Sequence, residues 1–85
     1  MVEFSYVITD PAGIHARPAG QLVKMAAAFA SAIRITKGEK SADLKRIFSV
    51  MGLGVRCGEQ VSVSVEGVDE EAAARAVEDF LKANM

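Results

Sequence analysis

The stretch Val61-Ser62-Val63-Ser64-Val65-Glu66 decides the fold, because its valines alternate strictly with polar residues. Successive side chains of a β-strand point to opposite faces, so this alternation predicts a strand with one apolar and one polar face. Residues 2–8 show the same pattern at the start of the chain, and residues 33–36 repeat it more briefly. The sequence therefore predicts a sheet that buries one face and leaves the other in water, as antiparallel sheets commonly do.

Three helical segments accompany the predicted strands. Residues 16–30 are rich in alanine and other helix formers, residues 47–51 fit a short helix that ends at Gly52 and Gly54, and Asp69 can cap a final helix. A turn at residues 37–40 leads into a short strand near residues 41–43, which completes a hairpin. The predicted order is β-α-β-β-α-β-α. It corresponds to an α+β fold, an open-faced β-sandwich in which three helices cover one face of a four-stranded antiparallel sheet.

Length and composition exclude several classes of protein. The 85 residues predict a single domain, residues 1–85, and 10 Lys and Arg against 11 Asp and Glu give a net charge of −1. Nucleic-acid binders normally carry an excess of clustered cations, so no nucleic-acid partner is expected. One Cys and one His can build neither a disulfide nor a structural zinc site. No apolar run approaches ~18 residues, so we expect no membrane insertion and a cytoplasmic protein.

Only the stretch Gly13-Ile14-His15-Ala16-Arg17-Pro18-Ala19 is unusual for a structural loop. His15, the single histidine, stands directly before the first predicted helix, where backbone N–H groups are unpaired and the helix dipole is positive. Arg17 adds a planar fork of donors that suits phosphate oxygens. This grouping could hold a phosphoryl group. A lone His at such a junction is also often a cap or a surface residue, and residue chemistry alone leaves both interpretations open.

The segment 12–19 resembles the active-site stretch of the phosphocarrier protein HPr family of the bacterial phosphoenolpyruvate:sugar phosphotransferase system. A second, separate match resembles that family's second-helix motif: Leu44-Lys45, Ile47, Val50-Met51 and Leu53-Gly54-Val55. The turn at Gly58, the valine-rich strand, Gly67 and the acidic start of the last helix also follow in family order. The resemblance thus covers nearly the whole chain, and two motifs in register are more specific than either alone.

The resemblance implies a phosphoryl-transfer intermediate rather than a classical enzyme, with no cofactor and no metal. His15 would be phosphorylated on Nδ1 by phosphorylated enzyme I and would pass the group to sugar-specific enzyme IIA domains. Arg17 and the backbone N–H groups of Ala16 and Arg17 would bind the phosphoryl oxygens. A carrier that docks with two partners in turn is expected to be a monomer. Two alternative functions remain: a regulatory HPr-like protein, for example in nitrogen control, and an interaction module without phosphoryl chemistry.

The short second helix is the expected docking surface for partners. In the family this helix and the first helix form the surface that donor and acceptors share, which implies a partner-binding role for Ile47, Phe48, Met51 and Leu53. A small apolar patch beside a reactive group suits a transient interface. The alternative is that these side chains belong to the core, which the residue pattern favours for Ile47 and Val50.

One residue departs from the family pattern. Many members carry a serine immediately before the position of Ile47, and in many Gram-positive bacteria a kinase phosphorylates it. This chain has Arg46 there. Arginine cannot accept that modification, so kinase control is in doubt, and Ser49 does not occupy the matching position.

Overall fold

The computed structural model describes all 85 residues and contains four strands and three helices. In chain order these elements are β1 (Val2–Val7), α1 (Ala16–Ala27), β2 (Ala32–Lys37), β3 (Lys40–Asp43), α2 (Ile47–Gly52), β4 (Gln60–Glu66) and α3 (Glu70–Asn84). The predicted order and the α+β open-faced sandwich are confirmed.

The sheet is antiparallel throughout, with the strand order β1-β4-β2-β3. The valine-rich strand β4 occupies an interior position, and its Val63 lies opposite Phe4 of β1 on one side and Ile35 of β2 on the other. This register brings the apolar residues of three strands onto one face. The polar residues share the other face, where the hydroxyls of Ser5 and Ser62 lie 3.4 Å apart. The alternation predicted from the sequence therefore sets the register.

The helices bury the apolar face of the sheet. Leu22 of α1, Val50 of α2 and Val77 of α3 are all at most 1% exposed and belong to one core cluster that includes the inward-facing strand residues. The 15-residue helix α3 is the longest of the three, and no helix has the length and apolarity needed to span a bilayer.

Helix α1 ends at Ala27, three residues before the predicted end at Ala30. The N–H groups of Ala30 and Ser31 donate hydrogen bonds of 2.8 and 2.9 Å to the carboxylate of Asp69, so they are not available to continue the helix. The Ser31 hydroxyl donates to the same carboxylate. The expectation that the Asp69 side chain caps α3 is therefore wrong. Asp69 is the N-cap residue of α3, but its carboxylate makes no capping hydrogen bond because it holds the end of the α1–β2 connection.

Candidate functional site

The loop between β1 and α1 is built on Asp10, which closes a tight turn in front of the start of α1. The carboxylate Oδ1 of Asp10 accepts a hydrogen bond of 2.8 Å from the N–H of Ala12, which is an Asx turn. The backbone oxygen of Asp10 accepts a second bond of 2.8 Å from the N–H of Gly13. Asp10 in turn donates its own N–H to the backbone oxygen of Met85 over 2.9 Å. These bonds fix the path of the chain into His15.

Gly13 is required where this loop meets the segment after α2. Its φ of +67° lies in the left-handed region, and a Cβ there would stand 2.8 Å from Cα of Arg56, closer than real side chains come. The next residue, Ile14, donates its N–H to the oxygen of Val55 over 3.1 Å. The loop thus packs backbone to backbone against residues 55–56, which ties the two motifs of the sequence to each other.

His15 is the N-cap residue of α1 and stands at the surface. Its backbone is extended (φ −109°, ψ 171°), and its oxygen accepts a bond of 3.0 Å from the N–H of Ala19. The imidazole makes no capping hydrogen bond, and 43% of the side chain is exposed. Although the residue occupies a capping position, its ring does not bind the N–H groups of the helix start.

Two unpaired backbone donors and one unpaired cation follow His15 in the first turn of α1. The N–H groups of Ala16 and Arg17 make no hydrogen bond within the chain, and Pro18 has no N–H to satisfy. The exposed Arg17 side chain forms neither an ion pair nor a hydrogen bond. The predicted site residues His15, Ala16 and Arg17 therefore lie together at one helix terminus, where donors and positive charge can meet an anion.

One acidic side chain at the site was missed by the sequence analysis. Nε2 of His15 lies 3.5 Å from Oδ2 of Asp10. The sequence analysis took Asp10 only as a turn former. Its position in the turn, five residues before the single histidine, could have indicated that its carboxylate lies near the ring.

Helix α2 packs against α1 near this site. A Cβ on Gly20 of α1 would lie 3.6 Å from Cδ1 of Ile47. Gly20 is five residues beyond His15, or roughly 7.5 Å along the helix axis at 1.5 Å per residue. Ile47 and Met51 are half-buried, and Phe48 is 90% exposed. Leu53 is only 5% exposed and belongs to the core, so the expectation that it forms part of an exposed docking surface is wrong.

Arg46 is the N-cap residue of α2. Its side chain is 77% exposed, and Nε lies 3.9 Å from Oδ2 of Asp43. An exposed pair at that distance contributes little to stability.

Neither a metal cluster nor a deep cavity accompanies the site. No group of three or more His, Cys, Asp or Glu side chains is placed to hold a metal ion. A cleft of about 490 Å³ lies elsewhere, lined by residues that include Arg34, Asp43 and Lys45 and none of the site residues. The chemistry available at His15 is that of a shallow, exposed surface.

The family model described as the phosphotransferase-system HPr component phosphorylation site matches residues 2–83 of the chain. The chain belongs to the HPr family. It is 50% identical over 76 residues to the phosphocarrier protein HPr of Lysinibacillus sphaericus, covering 89% of this chain and 86% of that protein. It is 40% identical over 81 residues to the HPr of Mycoplasma capricolum, covering 95% and 91%.

Solved HPr structures share the fold. The chain matches the histidine-containing phosphocarrier protein of a mycoplasma with a TM-score of 0.94 and 36% identity, over 96% of this chain and 93% of that one. It matches an HPr from Thermoanaerobacter tengcongensis with a TM-score of 0.93 and 40% identity, over 98% and 93%. The chain is thus an HPr phosphocarrier of the phosphotransferase system.

Proposed function

We propose that His15 accepts a phosphoryl group on Nδ1 from phosphorylated enzyme I, which draws it from phosphoenolpyruvate, and passes it to sugar-specific enzyme IIA domains. The observation that carries the proposal is the half-exposed imidazole of His15, which makes no capping hydrogen bond at the N-terminus of α1. Beside it stand the free N–H groups of Ala16 and Arg17 and the free guanidinium of Arg17.

The transfer step needs only groups that this surface presents. The Nδ1 lone pair attacks phosphorus and a P–N bond forms, while the bond between phosphorus and the donor atom breaks and its electron pair leaves with the donor. The phosphoryl group brings close to two negative charges. The N–H groups of Ala16 and Arg17, the helix dipole and the guanidinium compensate that charge.

A shallow site suits a carrier, because the phosphoryl group must leave again. Arg17 is the one cation in the first turn of α1, and no deep pocket encloses His15. Strong stabilisation of the phosphorylated state by several buried cations would raise the barrier to onward transfer. Moderate stabilisation by one exposed guanidinium and one helix terminus allows the group to be accepted and then released.

We place partner docking on the surface that α1 and α2 form together. Phe48 presents nearly its whole ring to solvent, and Ile47 and Met51 offer half-buried apolar area beside it. An exposed aromatic side chain is the kind of anchor that transient interfaces use. Residues 1–85 would act as one domain and as a monomer, because donor and acceptor must dock in turn on the same face.

The test is intact-mass analysis after incubation with phosphoenolpyruvate and enzyme I. The wild type is expected to gain one acid-labile phosphoryl group, and His15→Ala is expected to gain none. Subsequent addition of an enzyme IIA domain should remove the group from the wild type. Labelling of His15→Ala at the wild-type level would overturn the proposal, as would a wild type that a cognate enzyme I leaves unlabelled while a control carrier is labelled in the same tube.

A further inference from the structure

We propose that Asp10 is a positioning residue for His15: its carboxylate faces Nε2, holds the ring proton on that nitrogen and so leaves the lone pair on Nδ1. This inference rests on the proposed phosphorylation of His15 and adds a second side chain to it. It draws on the 3.5 Å separation between Oδ2 of Asp10 and Nε2 of His15.

The carboxylate is held in place by the loop rather than by the histidine. The N–H of Asp10 donates to the oxygen of Met85, its backbone oxygen accepts from Gly13, and its Oδ1 accepts from the N–H of Ala12. Three hydrogen bonds therefore fix the backbone and one carboxylate oxygen. Only Oδ2 is left, and it is directed at the ring.

His15 is the only basic side chain that pairs with Asp10. The chain has five ion pairs, and Asp10 takes part in none but the contact with His15. Its side chain is 26% exposed, so water screens it only in part. The separation of 3.5 Å exceeds a normal hydrogen bond, and the interaction is therefore mainly electrostatic.

A carboxylate at this place determines which nitrogen reacts. A neutral imidazole carries one proton, and the tautomer is set by what the protonated nitrogen faces. The tautomer with N–H on Nε2 places a positive hydrogen opposite Oδ2, whereas the other tautomer would set a lone pair against a negative charge. Asp10 thus stabilises the form of His15 in which Nδ1 is the nucleophile.

The same carboxylate offsets the charge that transfer creates on the ring. When the Nδ1 lone pair forms the P–N bond and the donor departs with its electron pair, Nε2 keeps its proton and the ring becomes cationic. A carboxylate opposite Nε2–H stabilises that cation, as the aspartate does for imidazole in hydrolytic triads. Because Asp10 faces Nε2 and the phosphoryl group binds at Nδ1, the two negative groups lie at different nitrogens of the ring.

The test compares Asp10→Asn with Asp79→Asn. The asparagine at position 10 can still accept the bond from Ala12 through its amide oxygen, so the variant removes the charge and retains the turn. Asp79 is an exposed acid on α3, and its substitution removes one negative charge elsewhere. Asp10→Ala removes both the charge and the acceptor of the turn. Comparing it with Asp10→Asn therefore separates the effect of the charge from the effect of the turn. The amide fingerprint in an NMR spectrum verifies that each variant is folded.

The first readout is the ¹⁵N NMR spectrum of the His15 ring in alkaline buffer, where an imidazole carries one proton. The wild type and Asp79→Asn are expected to show the Nε2–H tautomer as the dominant form, and Asp10→Asn a mixture of both. The second readout is the rate of phosphoryl acceptance from enzyme I. Asp10→Asn should lower that rate by about ten- to a hundredfold, the range typical of losing the partner that orients an imidazole ligand.

An unchanged tautomer in Asp10→Asn, or an unchanged acceptance rate, would overturn the role of Asp10. The tautomer is measured without enzyme I, so it tests Asp10 independently of the phosphocarrier function. Failure of the proposed function would show instead as a wild type that is never phosphorylated.

Discussion

Gly13 and Arg56 meet backbone to backbone, so closely that a Cβ on Gly13 would lie 2.8 Å from Cα of Arg56. This contact joins the loop that carries His15 to the segment that follows α2. The placement of His15 therefore depends on a residue with no side chain.

Gly13→Ala is expected to destabilise the fold by about 1–3 kcal/mol, because it combines a left-handed φ with a steric clash. Urea denaturation followed by circular dichroism measures the free energy of unfolding. Gly38→Ala is the matched control, since Gly38 has a similar φ of +59° and no atom within 4 Å of its would-be Cβ. If both variants lost the same free energy of unfolding, the clash with residues 55–56 would add nothing to the cost of the left-handed φ, which would contradict the prediction.

Phe48→Ala is expected to impair phosphoryl transfer with little loss of stability, whereas Leu53→Ala is expected to lower the stability of the fold. Phe48 is 90% exposed, so its truncation should change the free energy of unfolding by less than about 0.5 kcal/mol. It should slow phosphoryl exchange with enzyme I, because a docking contact is lost.

Leu53 is 5% exposed, and Leu53→Ala should cost about 2–5 kcal/mol of stability through the cavity it leaves. Denaturation and transfer kinetics on both variants separate docking from packing. An undiminished transfer rate in Phe48→Ala would contradict its place in the partner surface.

Arg17→Ala is expected to slow phosphoryl acceptance by roughly thirtyfold, since a charge-assisted hydrogen bond contributes about 2 kcal/mol. Arg17→Lys should be intermediate, because it keeps the charge and loses the planar fork. Arg75→Ala is the control, as it removes an exposed cation from α3. If Arg75→Ala slowed acceptance as much as Arg17→Ala does, the effect would be one of net charge and not of contact with the phosphoryl oxygens.

Asp69 is expected to make the protein less stable in acid. The Ser31 hydroxyl and then the N–H of Ala30 hold the pKa of the Asp69 carboxyl below its usual value. A lowered pKa in the folded state stabilises the fold above the unfolded pKa, and that contribution is lost as the pH falls through the folded pKa.

The Asp69→Asn variant should therefore lose less stability than the wild type between neutral pH and the acid range below the ordinary carboxyl pKa. Denaturation at a series of pH values measures how much unfolding free energy each protein loses. Ser31→Ala should bring the pKa of Asp69 closer to its usual value, because it removes the hydroxyl that lowers that pKa most. Parallel stability curves for wild type and Asp69→Asn would refute this role. Because Glu59 and Glu70 also have a lowered pKa, both curves are expected to fall in acid.

Sequence alone predicted the elements because their signals are local. The alternation in β4 and the alanine-rich run of α1 each require only neighbouring residues, and the structure has both, with α1 ending early. His15 and Arg17 could be singled out from local sequence too, because they are two residues apart at a helix start, and their role stays a prediction.

Two of the three misses depend on contacts between distant parts of the chain. Asp69 acts on residues 30–31 across 38 to 39 positions, which no helix-capping pattern could indicate. Leu53 belongs to the core cluster, and its burial depends on tertiary packing that a local pattern does not show. The contact between Asp10 and His15 depends on the fold of a loop, and periodicity carries no information about it.

The most direct test of the central claim is a phosphorus-coupled ¹⁵N NMR spectrum of uniformly ¹⁵N-labelled protein after phosphorylation by enzyme I and phosphoenolpyruvate. The account predicts one phosphorus signal, with coupling to Nδ1 of His15 and no signal in His15→Ala. Coupling to Nε2, or a phosphorus signal that survives in His15→Ala, would contradict it.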